Sequence, residues 1–106
     1  MSASRFDILK SFVDEDPKDP FNHYALALEY ETQQQFPQAI AKFEDVIALD
    51  SSYVPAYHQL GLLYAQLNRK EEALKVFEKG IRIAADAGDT HARIEMQEAI
   101  EELTPG

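Results

Sequence analysis

Residues 54–87 read VPAYHQLGLLYAQLNRKEEALKVFEKGIRIAADA, and residues 20–53 read PFNHYALALEYETQQQFPQAIAKFEDVIALDSSY. Laid over each other without a gap, residue 20 falls on residue 54, a period of 34. Leu26, Leu28, Tyr30, Ala39, Phe43, Glu44 and Ile47 recur as Leu60, Leu62, Tyr64, Ala73, Phe77, Glu78 and Ile81. A period of this size marks a stacked repeat unit, which buries its apolar face against its neighbours. Proteins of this kind act mainly through the surface that stacking creates.

The spacing inside each block is helical. Tyr57, Leu60, Gly61, Tyr64 and Leu67 follow three- and four-residue steps and form one face. Ala73, Leu74, Val76, Phe77, Gly80, Ile81 and Ile83 do the same on a second helix. Gly61 and Ala73 are small where two helices must come close. Asn68 stands between the helices, where a left-handed residue commonly ends the first. Gln34 takes that place in the earlier block and suits it less well. Pro37 opens the second helix of the earlier block, where a missing N–H costs nothing.

Tyr57, Leu60, Gly61, Tyr64, Ala73 and Phe77 together resemble the tetratricopeptide repeat signature. The earlier block is similar through His23, Leu26, Ala27, Tyr30, Ala39 and Phe43. It departs at His23, where the family favours a large aromatic, and at Val46, where the later block has the small residue Gly80. The resemblance covers residues 20 to about 85. It implies an all-α fold, a short right-handed α-solenoid of antiparallel helix pairs.

The flanks extend this pattern to six expected helices in a single domain spanning 1–106. Ser4 and Asp7 resemble a capping box ahead of the apolar stripe Phe6, Leu9, Phe12 and Val13. Residues 4–15 therefore read as the second helix of an N-terminal half-repeat. Residues 20–53 are the first repeat and 54–87 the second, with an extended second helix running through Ala84 and Ala85. Gly88 ends that helix, and Asp89 or Thr90 caps the next. In strict period the following face would hold His91, Ile94, Glu95 and Glu98, which is poor. Met96, Ala99, Ile100 and Leu103 form a better one, so 89–103 reads as a capping helix in shifted register.

Composition excludes several classes. Ten Lys and Arg against nineteen Asp and Glu leave a formal charge of −9, which opposes nucleic acid or an anionic membrane as partner. The acidity serves solubility or attracts a basic partner segment. There is no cysteine, hence no disulfide and no thiolate metal site. No apolar run reaches the roughly 20 residues of a membrane helix, and Met1–Asp7 lacks the apolar core of a signal peptide. A cytoplasmic location is the resulting expectation.

In the family that the chain resembles, the first helices of successive repeats line a concave peptide-binding groove. Matched position by position, the resemblance implies Phe21, Tyr24, Leu28, Glu31 and Thr32 from the first repeat. The second contributes His58, Gln59, Leu62, Ala65 and Gln66, and the shifted last helix adds Ile94, Gln97 and Glu101. The expected function is a non-enzymatic protein-interaction module holding a peptide or helix of a partner. Structural self-association, through the groove or the half-repeat end, is the alternative. The bland reading of the same stripe is ordinary helix packing.

Co-chaperones of this family grip a C-terminal carboxylate with Lys, Asn and Arg side chains. The matching positions here are Tyr24, Leu28 and Gln59, followed by Asp89 and Arg93, or by Ile94 and Glu98 in the shifted register. The cationic fork is missing. Nothing points to an enzyme or a cofactor: there is no phosphate loop, nucleophile elbow or paired catalytic carboxylate. His23, His58 and His91 fall near equivalent places, but the spacing sets no carboxylate beside a His pair, so no metal is expected.

Overall fold

The computed structural model describes residues 3–105; Met1, Ser2 and Gly106, which the expected domain includes, lie outside the described residues. Six helices and no strand occur among the described residues, so the fold is all-α. They are α1 (Arg5–Glu15), α2 (Pro20–Thr32), α3 (Phe36–Leu49), α4 (Val54–Gln66), α5 (Lys70–Asp86) and α6 (Thr90–Leu103). The chain forms two compact units, divided between Asp50 and Ser51.

Helix starts follow from short polar side chains and proline. Ser4, Asp19 and Asp89 accept hydrogen bonds from the N–H groups of Asp7, Phe21 and Ala92, satisfying donors that the first helical turn leaves open. Proline occupies the first or second position of α2, α3 and α4. Three helices end in the same way. Gln34, Asn68 and Gly88 adopt φ of 59°, 61° and 72°. The next N–H, of Gln35, Arg69 or Asp89, reaches back to Tyr30, Tyr64 or Ala84 at 2.8–2.9 Å. This is the Schellman arrangement, which uses carbonyls the last turn would leave unpaired.

In the first unit α2 packs along α3, and α1 lies against α2. Leu26, Ala27, Ala39, Phe43 and Val46 make its core. The Tyr24 and Phe43 rings meet edge to face at 5.9 Å, and Phe6 and Tyr30 at 5.1 Å. Asn22 Nδ2 donates to the Phe12 and Asp16 carbonyls at 3.3 and 3.5 Å, tying the start of α2 to the end of α1. His23 is buried, as an aromatic would be at this place.

In the second unit α4 packs along α5, and α6 closes on α5 with a lighter contact to α4. Tyr57, Leu60, Leu63, Phe77, Ala84 and Met96 fill the interior. A Cβ built on Gly61 would clash with the Phe77 ring, and one on Gly80 would lie 2.6 Å from Met96 Sδ and 2.7 Å from Tyr57 Cβ. Helix α5 runs 17 residues, against 14 for its counterpart α3. On α6 the buried residue is Met96, while the His91 side chain is 88% exposed, so the shifted register describes this helix.

The left-handed residue at the end of α2 is the least suited of the three. A side chain there costs roughly 1–2 kcal/mol, which glycine avoids at some expense in unfolded-chain entropy. We expect Gln34→Gly to stabilise the chain by about 0.5–1 kcal/mol, seen as a higher urea midpoint at unchanged slope. Asn68→Gly should gain less, because asparagine tolerates this conformation.

Candidate functional site

The helical repeat of three and four residues sets Phe21, Tyr24, Leu28 and Thr32 along one face of α2. They line a shallow depression with Ala25, Glu29 and Arg5, the last contributed by α1. Phe21 is 60% exposed and Leu28 36%. Tyr24 is half-buried, its ring held against Phe43. The Thr32 hydroxyl donates to the Leu28 carbonyl at 3.0 Å, so its hydrogen is turned inward. Arg5 Nε donates to Glu29 Oε2 at 3.1 Å and closes one side of the depression.

Glu31 is not among the residues lining this depression. Its Oε1 is buried without a hydrogen-bond partner among the described residues, and burial raises the carboxyl above the usual carboxylate range.

In the second unit Leu62 is 41% exposed on α4, Gln66 is exposed, and Gln59 and Ala65 are half-buried. His58 Nδ1 lies 3.8 Å from Glu95 Oε2, while His91 Nε2 pairs with Glu95 Oε1. The expectation that no carboxylate stands beside a His pair is thereby corrected. His91 and Glu95 share an α6 face at i,i+4 spacing, and packing of α6 brings that face to His58. Among the described residues, no group of three or more His, Cys, Asp or Glu side chains is arranged to hold a metal ion. Of the other α6 positions, Ile94 is 42% exposed, Glu101 is exposed, and Gln97 Oε1 accepts from Arg93.

Sequence reasoning missed Arg5 and Glu29 as part of the α2 depression. They lie 24 residues apart, beyond any local periodicity, and meet only because α1 packs on α2. No helix among the described residues is long and apolar enough to cross a membrane.

A family model described as tetratricopeptide repeat matches residues 54–87. No curated protein matches the chain. Among solved structures, the tetratricopeptide repeat domain protein from Salinibacter ruber is 36% identical, with a TM-score of 0.79 over 84% of this chain and 90% of its own. The TPR2B domain of yeast Sti1, in complex with pHsp70, superposes with a TM-score of 0.87 over 93% of this chain and 79% of its own. At 17% identity that likeness concerns the fold alone. The first TPR of Spaghetti (RPAP3), bound to the HSP90 peptide SRMEEVD, is 25% identical, with a TM-score of 0.69 over 90% of this chain and 78% of its own.

The buried Glu31 oxygen generates a pH prediction. Burial penalises the ionised form, so the folded chain gains where Glu31 is protonated and loses that gain as pH rises through its raised folded-state value. Glu31→Gln should therefore unfold at a higher temperature than the wild type at about pH 7, with the difference fading towards about pH 3. Thermal circular dichroism across this range checks it.

Proposed function

Because the chain belongs to the tetratricopeptide repeat family, we propose that it is a non-enzymatic module holding a peptide or helix of a partner protein in a partly apolar groove. The residues proposed to meet the partner are Phe21, Tyr24, Leu28, Glu31 and Thr32 on α2, with His58, Gln59, Leu62 and Gln66 on α4. The observation that carries this reading is the α2 depression, in which Phe21 and Leu28 stay open to solvent beside the Tyr24 ring. Large apolar side chains held open on a helix face, next to polar ones, suit the apolar face of an incoming segment. The complexes of Sti1 with pHsp70 and of Spaghetti with SRMEEVD support a protein partner for this fold. A cytoplasmic setting is part of the same proposal.

The partner differs from an acidic chaperone tail. At the positions that would clamp a C-terminal carboxylate stand Tyr24, Leu28 and Gln59, followed in the shifted register by Ile94 and Glu98, none of them cationic. A carboxylate brought there gains no charge-assisted hydrogen bond from those side chains, and the chain's charge of −9 repels it.

A second reading, self-association, is favoured by α1, where Ile8 and Phe12 are 44% and 46% exposed at i,i+4 spacing. Light scattering over a range of concentrations separates the two: a monomer throughout removes self-association.

For the first reading we expect Tyr24→Ala with Leu62→Gln to abolish capture of the partner while the helical circular dichroism signal persists. Retained capture would remove the groove. Calorimetric titration with an acidic peptide ending in Glu-Glu-Val-Asp should show no binding in the micromolar range, and micromolar affinity would refute the exclusion.

A further inference from the structure

The first unit contains a second recess, away from the α2 depression, lined by Pro17, His23, Asp45, Ala48 and Leu49. The His23 side chain is only 8% exposed. Its Nε2 lies 2.6 Å from the Pro17 carbonyl, so Nε2 carries the hydrogen and donates it. In the neutral ring Nδ1 then presents a lone pair, and it has no hydrogen-bond partner among the described residues. The nearest charged group is Asp45 Oδ2 at 3.9 Å, itself an acceptor. With the ring neutral, two acceptors thus face each other with no donor between them. Lys42 Nζ reaches Asp45 Oδ2 at 3.1 Å but leaves Nδ1 unserved.

The second repeat provides an internal control. One period after His23 stands Tyr57, whose hydroxyl donates to the Ser51 carbonyl at 2.7 Å. Ser51 is itself one period after Pro17, so both side chains serve the same backbone carbonyl position. Tyrosine does so without leaving a buried acceptor. Asp45 becomes Lys79, Ala48 becomes Arg82 and Lys42 becomes Val76. The departures from the repeat therefore converge on one recess and give it two acceptors where the other copy has none. Departures from a local rule that leave a polar group unsatisfied mark functional positions.

We propose that this recess binds an alkylammonium group, which bridges His23 Nδ1 and Asp45 while its carbon stem lies against Pro17 and Leu49. A nitrogen about 2.9 Å from each acceptor fits their separation, and an ammonium carries enough hydrogens to serve both. The carboxylate supplies the opposite charge, and the half-open Leu49, 42% exposed, an apolar lip. The group comes either from a free amine or from a lysine of a protein. Lys42 is the internal competitor for the same carboxylate. The site stands apart from the groove proposal and does not depend on it.

The test is NMR titration of the full chain, following the His23 ring nitrogens and the Asp45 amide at constant ionic strength and pH. One arm uses n-butylammonium and the other acetyl-Ala-Lys-Ala-amide. A saturable shift at both nuclei is expected. Saturation with the peptide assigns a protein lysine, and saturation with the amine alone assigns a free amine. Lys42→Val should tighten binding by about threefold to tenfold. His23→Tyr and Asp45→Lys should abolish the shift at the remaining nucleus, and both copy residues the second repeat already accommodates. No saturable shift in either arm overturns the proposal. So does an equal shift in the His23→Tyr and Asp45→Lys chains, or no gain with Lys42→Val.

Discussion

The second unit depends on how closely α4 and α5 approach. Gly61 leaves the space that the Phe77 ring occupies, and Gly80 leaves the space for Tyr57 and Met96. Two glycines inside helices cost about 1 kcal/mol each in helix propensity. Burial of Phe77, Tyr57 and Met96 returns more, at about 1.5–3 kcal/mol for each large side chain. The close approach also decides where α6 can sit, since Met96 packs on Gly80. The α6 residue set against His58 follows from that seating, so the pairing of Glu95 with His58 traces back to a missing Cβ on α5. In the first unit the corresponding positions are Ala27 and Val46, both buried and both carrying a Cβ. Its helix pair keeps the aromatic, Phe43, without the glycines.

The two repeats are more alike in their hydrogen bonds than in their residues. His23 and Tyr57 share neither size nor chemistry, yet each donates to the carbonyl of the residue six places earlier. Gln34 and Asn68 likewise differ, yet both take a left-handed conformation and pass the chain through the same pair of backbone bonds. A buried or helix-ending carbonyl must find a donor. The backbone's need is what recurs, and several side chains satisfy it. A departure such as histidine for tyrosine can then keep the fold while changing what a neighbouring recess offers.

Most of the fold was legible because it is periodic. Helix faces, turn residues and caps are local features, and Asn68, Gly88 and Asp89 behave as their types require. The last helix was legible only after strict periodicity was abandoned, because the extension of α5 through Ala84 moves α6 along the chain. Contacts between helices were not legible in the same way. Arg5 meets Glu29, and His58 meets Glu95, through packing geometry that no spacing encodes. The unsatisfied Nδ1 of His23 was likewise hidden, since burial, ring orientation and the Pro17 carbonyl all had to be known first.

Exposure sets a limit on what the apolar side chains of the proposed groove can contribute to binding. Phe21, Leu28 and Leu62 are 60%, 36% and 41% exposed, so a partner can cover only that exposed fraction of each. At about 1.5–3 kcal/mol for complete burial, each adds on the order of 1 kcal/mol, and together about 3. Association itself costs at least about 4 kcal/mol in lost freedom, and a micromolar complex must still net about 8. Apolar contact through these side chains therefore falls well short of stable capture. On the proposed reading, the difference comes from hydrogen bonds and charge pairs that a partner makes with groups such as His58, Gln59 and Gln66, or from a segment long enough to reach a further point of contact. Discrimination then falls to polar positions, and one of them, Gln59, is also a position at which the chain departs from the carboxylate-clamping pattern.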